Sequence, residues 1–353
     1  MYTFNHYGAT VAREQERPGH ELRPASMTID IHAHILIPDA AEFVEPYLDS
    51  TVNPQAHFAA PETTALNAKQ QRDRRVNLLQ IDRRLADMDE AGIDMQVVMP
   101  PPPQCTYSVP LDIGIKAARM VNEGMAAFVA RRPDRFAALG TVPMQDGRAA
   151  AEELERGMRE LGLKGVEILT NINGNEISEL AYGPFWAKAE ELGAVVLLHP
   201  LGFTEGKRLS RSYFSNIIAN PLDTTLALHC LILDGILERH PALKIVAAHG
   251  GGYLPSYSGR LDHAWGARSD VRGALPNPPS SYLKKIFFDT IVFTPHQLKY
   301  LVDVFGAEQV LLGTDYPYDM AESNPIGHIA STQLGAVAFQ AITGGNAQKL
   351  FGL

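Results

Sequence analysis

Ala194-Val195-Val196-Leu197-Leu198-His199 has no polar face: five apolar residues run without alternation and then stop at a histidine. A strand with one buried face alternates polar and apolar side chains, so an unbroken run belongs to a parallel sheet covered on both sides. Ile245-Val246-Ala247-Ala248-His249 repeats the pattern further along the chain. Working outward, strands are predicted at Thr28–Ile31, Met95–Met99, Phe136–Thr141, Gly165–Leu169, Ala194–Leu198, Lys244–Ala248, Ile286–Asp289 and Val310–Gly313. Helices are predicted between them, at Leu111–Arg132, Arg148–Leu161, Thr224–Arg239 and Pro295–Phe305, where apolar residues recur at helical spacing. Pro184 suits the first turn of a further helix through Leu192, and Gly193 its end. An open doubly wound sheet shares this alternation. The count of eight favours an α/β fold of the closed (β/α)8 TIM barrel type.

The 353 residues fit one such barrel. Residues 1–26 are polar and lack the apolar core of a signal peptide, so they are read as an N-terminal arm before a single metal-dependent barrel domain over 27–353. Segment 38–76 is too long for an ordinary connection, and its Pro, Gln, Thr and Asn content predicts an inserted lid over the barrel mouth. Further long loops are expected at Gly202–Pro221 and Gly266–Pro279. The longest apolar runs are too short to cross a bilayer, so no membrane association is expected. The net charge of −9, from 31 basic and 40 acidic residues, argues against nucleic acid as a partner. Two cysteines, Cys105 and Cys230, build no disulfide framework and fit a reducing, cytoplasmic setting.

The histidines carry the chemistry. His32 and His34 alternate at the end of the first strand, so both side chains can reach one ion. Alone, a His-x-His is weak. His199 closes the fifth strand, His249 the sixth, and Asp315 follows the eighth. In a barrel the C-terminal strand ends surround one mouth, so five metal-binding or proton-transferring groups from distant segments converge there. Three imidazoles and a carboxylate suit one divalent transition metal, zinc first, with manganese or iron as alternatives. Asp289, ending the seventh strand, is read as a partner that orients a ligand histidine. His229, His240 and His263, on or beside helices, are read as packing or surface residues.

With these residues assembled, the chain resembles the amidohydrolase superfamily. Within it, the resemblance is to the metal-dependent decarboxylases typified by 2-amino-3-carboxymuconate 6-semialdehyde decarboxylase. It runs from Met27 to Leu353. It rests on Ile29-Asp30-Ile31-His32-Ala33-His34, Arg84-Leu85-Ala86-Asp87-Met88-Asp89, Arg132-Pro133-Asp134-Arg135-Phe136 and Leu163-Lys164-Gly165-Val166. His199-Pro200, His249-Gly250-Gly251-Gly252 and Gly313-Thr314-Asp315-Tyr316-Pro317 complete the series. The resemblance implies metal ligation by His32, His34, His199 and Asp315, with His249 and Asp315 as the catalytic pair. It implies Arg84 as a holder of a substrate carboxylate and Arg268 as a second, supplied by the neighbouring subunit of a homodimer. An arginine fork accepts a carboxylate through two parallel hydrogen bonds.

Two departures bear on the substrate. Tyr213 stands where the typical member has a tryptophan, and the lysine of the inserted segment has only Lys69 as a loose counterpart. The expected activity is non-oxidative decarboxylation of a small aromatic or muconate-like carboxylic acid. The rivals are a mononuclear hydrolase of an amide, lactone or ester, a related C=C hydratase, and a metal-binding protein without catalysis. Binuclear hydrolases of the superfamily place a carbamylated lysine at the end of the fourth strand, where this chain has Leu169, Thr170 and Asn171; Lys164 lies at the opposite end.

Overall fold

The computed structural model describes residues 21–353, so most of the arm expected over 1–26 lies outside the described residues. All eight predicted strands are present. They are β1 (Ile29–His34), β2 (Met95–Met99), β3 (Phe136–Ala138), β4 (Gly165–Leu169), β7 (Val195–His199), β8 (Lys244–Ala247), β9 (Phe287–Asp289) and β10 (Val310–Leu311). A short antiparallel hairpin that the sequence reading missed, β5 (Asn171–Ile172) with β6 (Asn175–Glu176), follows β4.

Every barrel pairing is parallel, in the orders β1-β2-β3 and β10-β9-β8-β7-β4. Backbone hydrogen bonds bridge both seams between these groups. Gly140 N donates to Gly165 O and Glu167 N to Gly140 O, each at 2.9 Å. On the other side Ile31 N donates to Leu312 O (2.9 Å) and His34 N to Tyr316 O (2.8 Å). The strands thus form one ring, the TIM barrel expected.

The ring has a core on each surface. Ile29, Met95, Val97, Val195, Leu197, Val246 and Leu311 pack in one cluster that draws on strands of both groups. The C-terminal helix Asn346–Phe351 adds Ala347, Leu350 and Phe351 to it, at the strand-start end, where Lys164 Nζ also reaches Gly352 O (3.4 Å). The intervening strand residues, such as Val98, Val196, Leu198 and Ile245, pack outward against the helices. Burial on both faces is why these strands lack a polar alternate. The register of β1 on β2 slips between Asp30 and Ala33, a bulge of one residue. Beyond the slip, His32 and His34 both lie at the mouth.

One helix departs from expectation by more than a residue. The helix expected over Thr224–Arg239 begins earlier, at Ala219, with Pro221 in its first turn, and ends at Leu233. It breaks because Gly235 takes φ +74°, and a separate turn Ile236–Arg239 follows. The merged stretch Phe214–Leu233 is long and apolar enough by composition to cross a membrane, contrary to the expectation for this chain. It also buries Asn220, Asp223 and Thr224, polar residues that a lipid-facing helix would not carry.

The segment after β1 is helical, with Pro38–Val44, Pro54–His57 and the 19-residue helix Pro61–Leu79. That long helix buries Thr63, Gln70, Arg74 and Leu78, so its covered face is mostly polar.

Candidate metal centre

β1, β7 and the segments following β8 and β10 deliver four histidines and an aspartate to one end of the barrel. Donor atoms of His32, His199, His249 and Asp315 lie within 4.8 Å of one another. His34 Nε2 is 3.2 Å from Asp315 Oδ1, and the His34 ring centroid is 5.1 Å from that of His32 and 5.3 Å from that of His199. The five residues singled out from the sequence are therefore together.

The orientation of each ring is set from behind. His32 Nδ1 donates to Asp289 Oδ2 (2.8 Å), His34 Nδ1 to Pro100 O (2.9 Å) and His199 Nδ1 to Pro200 O (2.7 Å). A neutral imidazole that donates from Nδ1 presents a lone pair at Nε2. Nε2 of His32 and of His199 has no hydrogen-bond partner although both side chains are buried. The third lone pair, on His34, faces a carboxylate oxygen of Asp315, which sets two acceptors 3.2 Å apart.

Charge decides what belongs between them. Burial pushes the His34 imidazole below its ordinary value, and burial with the surrounding histidines pushes His199 well below. Burial would raise the Asp315 carboxyl, but its contacts with His249 and His34 and the charge of the surrounding histidines more than offset it and hold the group well below the carboxylate range. Burial lowers the His32 imidazole, but its bond to Asp289 and the charge of Asp315 raise it above its ordinary value. This ring, two neutral imidazoles and one anion converge as a set that fits a divalent cation.

Asp289 is the brace of the centre. Besides His32, its carboxylate accepts from His249 N (2.9 Å), Gly250 N (2.9 Å) and Ile291 N (3.1 Å). Burial is the largest influence and raises its carboxyl, yet the bond and charge of His32, with His249 and the Gly250 N–H, together keep the group below its ordinary value. It thereby fixes one ligand ring and the backbone of the His-Gly-Gly-Gly turn together. His249 and Asp315 both take left-handed backbone conformations, with φ of 55° and 61°, strain of the sort that persists where surrounding contacts over-determine it. Gly250 (φ +62°) has no room for a side chain, since a Cβ would meet Val292 Cγ1 at 2.4 Å. Asp289→Asn is expected to weaken metal binding by about 10–100-fold, measured by competition with a chelator.

Above these groups is a cavity of about 310 Å³, lined by His199, His249, Asp315 and Tyr213 and roofed by residues of the segment after β1. His32 and His34 lie beneath its floor, fully buried, while the His249 side chain keeps 18% of its surface exposed. Tyr213 OH stands 3.4 Å from Asp319 Oδ1. Burial raises the Tyr213 and Tyr318 phenols above their ordinary value, so both are neutral at physiological pH.

The arginine expected to hold a carboxylate is placed elsewhere. Arg84 is buried but does not line the cavity: it donates to Gln96 Oε1 (2.9 Å), His34 O and Asn77 O (3.1 Å), with its guanidinium 4.7 Å over the Tyr316 ring. All of that serves to hold the end of β1, leaving no fork for a ligand. Arg268 is 64% exposed at the side chain and paired with Asp270 at 2.6 Å, outside the cavity of its own chain. Lys69 is also exposed, beside Asp73 at 3.4 Å.

Arg74, which the sequence reading passed over, does line the cavity. Its Nε and Nη2 have no hydrogen-bond partner, although the side chain is buried, and Asp319 Oδ1 is 3.9 Å away. Glu167 on β4 was also passed over. Its carboxyl is fully buried, neither oxygen has a hydrogen-bond partner, and burial pushes it well up, so it is held neutral below His34. The bland readings of His229 and His240 hold, since their Nδ1 atoms bond Thr225 O and Glu190 Oε2.

Residues 29–353 match the family model described as Amidohydrolase. The chain belongs to the amidohydrolase family. It is 32% identical over 332 residues to the 2-amino-3-carboxymuconate-6-semialdehyde decarboxylase of Dictyostelium discoideum, covering 93% of this chain and 92% of the relative. Among solved structures it resembles 5-carboxyvanillate decarboxylase from Sphingomonas paucimobilis, with a TM-score of 0.82 at 26% identity over 93% of this chain and 99% of the other. It also resembles a dihydroxybenzoic acid decarboxylase from Polaromonas sp., solved with bound manganese and the inhibitor 2-nitroresorcinol. There the TM-score is 0.78 at 25% identity, over 93% and 97% of the two chains. Within the amidohydrolases, this likeness places the chain in the branch that contains such decarboxylases.

Proposed function

We propose that this amidohydrolase is a metal-dependent, non-oxidative decarboxylase of an aromatic or muconate-like carboxylic acid. The observation that carries the reading is a buried arginine with unused donors, Arg74, in the same cavity as a cluster of unshared histidine lone pairs. That pairing offers one end of a substrate a fork for a carboxylate and the other end a cation site. The decarboxylase names of the relatives support it.

His32, His34, His199 and Asp315 are the ligands in this reading. A divalent cation held there would act as a Lewis acid on substrate oxygens and lower the pKa of water. Zinc is the first choice by donor set, and the manganese of one relative keeps manganese beside it. His249 is the proton-transfer group, since it faces the cavity, its Nδ1 has no hydrogen-bond partner, and its Nε2 lies 3.6 Å from Asp315 Oδ2.

Two routes use the same residues. In one, His249 takes a proton from water as hydroxide adds to an activated C=C bond, and passes it to the carbon bearing the carboxylate. The C–C bond to CO₂ then breaks, and its electron pair re-forms the double bond and expels the hydroxide. In the other, His249, beside the Asp315 carboxylate, delivers a proton to the carbon bearing the carboxylate. The C–C bond then breaks, its electron pair returns to the ring, and CO₂ leaves. Arg74 holds the carboxyl end and Tyr213 offers a neutral hydroxyl on the same wall. Arg74→Leu is expected to lower kcat/KM by about 10–100-fold, the worth of a charge-assisted hydrogen bond. Steady-state kinetics against the wild type would check it.

Tyr253 and Tyr257 are exposed on and beside the helix Leu254–Ala267, and Arg268 caps its end. A homodimer through this face would cover the tyrosines and carry Arg268 toward the partner's cavity. The setting is read as cytoplasmic, with Cys105 and Cys230 both unpaired.

The test is CO₂ release from a panel of aromatic and muconate-type carboxylic acids, with metal content measured and a chelated control. Metal-dependent CO₂ release supports the proposal. Silence there, with metal-dependent cleavage of lactones or amides, would move the same centre to the hydrolase reading.

A further inference from the structure

A second cavity, also of about 310 Å³, lies beside the one over the metal centre. The two share Asn53, Ala56 and Pro103 as lining residues, so they are adjacent. They differ in charge. The first holds Arg74, His199, His249 and Asp315. The residues lining the second include no lysine, arginine or histidine; apolar side chains such as Leu48, Val52, Leu169 and Leu201 share its wall with neutral polar ones such as Asn171 and Asn173. Its one carboxylate, Asp49, is already engaged by Thr51, through N at 2.9 Å and Oγ1 at 2.6 Å. Among the described residues, Leu48 and Val52 remain 49% and 43% exposed.

We propose that the second cavity is a distal subsite that takes an uncharged alkyl or aryl substituent of the substrate. The inference rests on the decarboxylase reading and narrows it to amphipathic aromatic acids with an apolar arm. One compartment alone is at the small end of the range for ligand pockets, roughly 300–1,000 Å³. A substrate with a carboxylate at one end and an apolar arm at the other matches a pair of compartments, one bearing a cation and the other none. The arm covers Leu48 and Val52, and that burial is the source of the selectivity.

The probe is a series of 3-alkylphenols from methyl to pentyl, titrated calorimetrically into the metal-loaded protein. Affinity is expected to rise about fourfold per added methylene over the series, as for apolar groups leaving water. Val52→Arg, on an exposed turn where a long polar side chain does not threaten folding, is expected to flatten that slope. Affinity that does not change with chain length, no binding by any member, or a slope unaltered in Val52→Arg overturns the subsite. The phenols carry no carboxylate, so the slope is read whether or not CO₂ is released. A steep slope with no CO₂ from any acid would keep the subsite and sink the decarboxylase reading.

Discussion

Replacing His249 with alanine is expected to cost about 10²–10⁴-fold in turnover while the protein still binds its divalent metal. The geometry separates the two roles. His32, His34 and His199 each spend Nδ1 on a fixed acceptor, which leaves Nε2 free on His32 and His199 and sets that of His34 beside Asp315, whereas His249 Nδ1 bonds nothing and its ring is the most open of the four. The backbone of residue 249 is tied to Asp289 through its N–H, which alanine retains, so the turn that follows β8 should stay in place. Metal content measured by elemental analysis beside turnover reads both halves. Near-wild-type turnover would refute the role of His249. Loss of metal would instead place His249 among the ligands, which its position within 4.8 Å of the other donors makes a real alternative outcome.

His199→Ala is expected to act in the opposite order, with metal lost first and turnover lost as a consequence. Four-ligand zinc sites bind with roughly 10–16 kcal/mol. Removing one of four donors on that scale weakens binding by about 10²–10³-fold. The His199 ring is fully buried and held neutral by burial and by the neighbouring histidines, so it contributes a lone pair and no charge. Since a ligand that binds only the folded state raises its stability, chelation should lower the Tm of the wild type. In His199→Ala, chelation should leave Tm nearly unchanged at metal concentrations that saturate the wild type. A variant that retained tight metal would remove His199 from the ligand set.

The barrel was legible because burial on both strand faces suppresses the polar alternate. That is why Met95–Met99 and Gly165–Leu169 coincide with their predicted bounds. The ligands were legible for a related reason, since polar residues closing apolar runs stand out, and Asp289 could be picked as the brace at the end of its strand. The bulge in β1 was not visible, as register depends on the neighbouring strand rather than on local sequence. Arg84 misled for a physical reason. It lies on a strongly amphipathic helix, Ile81–Ala91, and its face is buried, but what it meets there is the carbonyl of His34 rather than the cavity. Arg74 was missed because the inward face of Pro61–Leu79 is polar, so a search for apolar periodicity finds nothing to follow. The signal that was present is a polar stripe at helical spacing. Asn67, Gln70, Gln71 and Arg74 all line the cavity.

The most direct test is to strip the protein of metal and titrate it with Mn²⁺ or Zn²⁺, following CO₂ release from an aromatic acid that the panel identifies. The account predicts that activity rises in proportion to bound metal and levels off at about one ion per chain, the number that a single cluster of three imidazoles and one carboxylate holds. CO₂ release that persists in fully stripped protein, or that needs a second ion per chain, would contradict it.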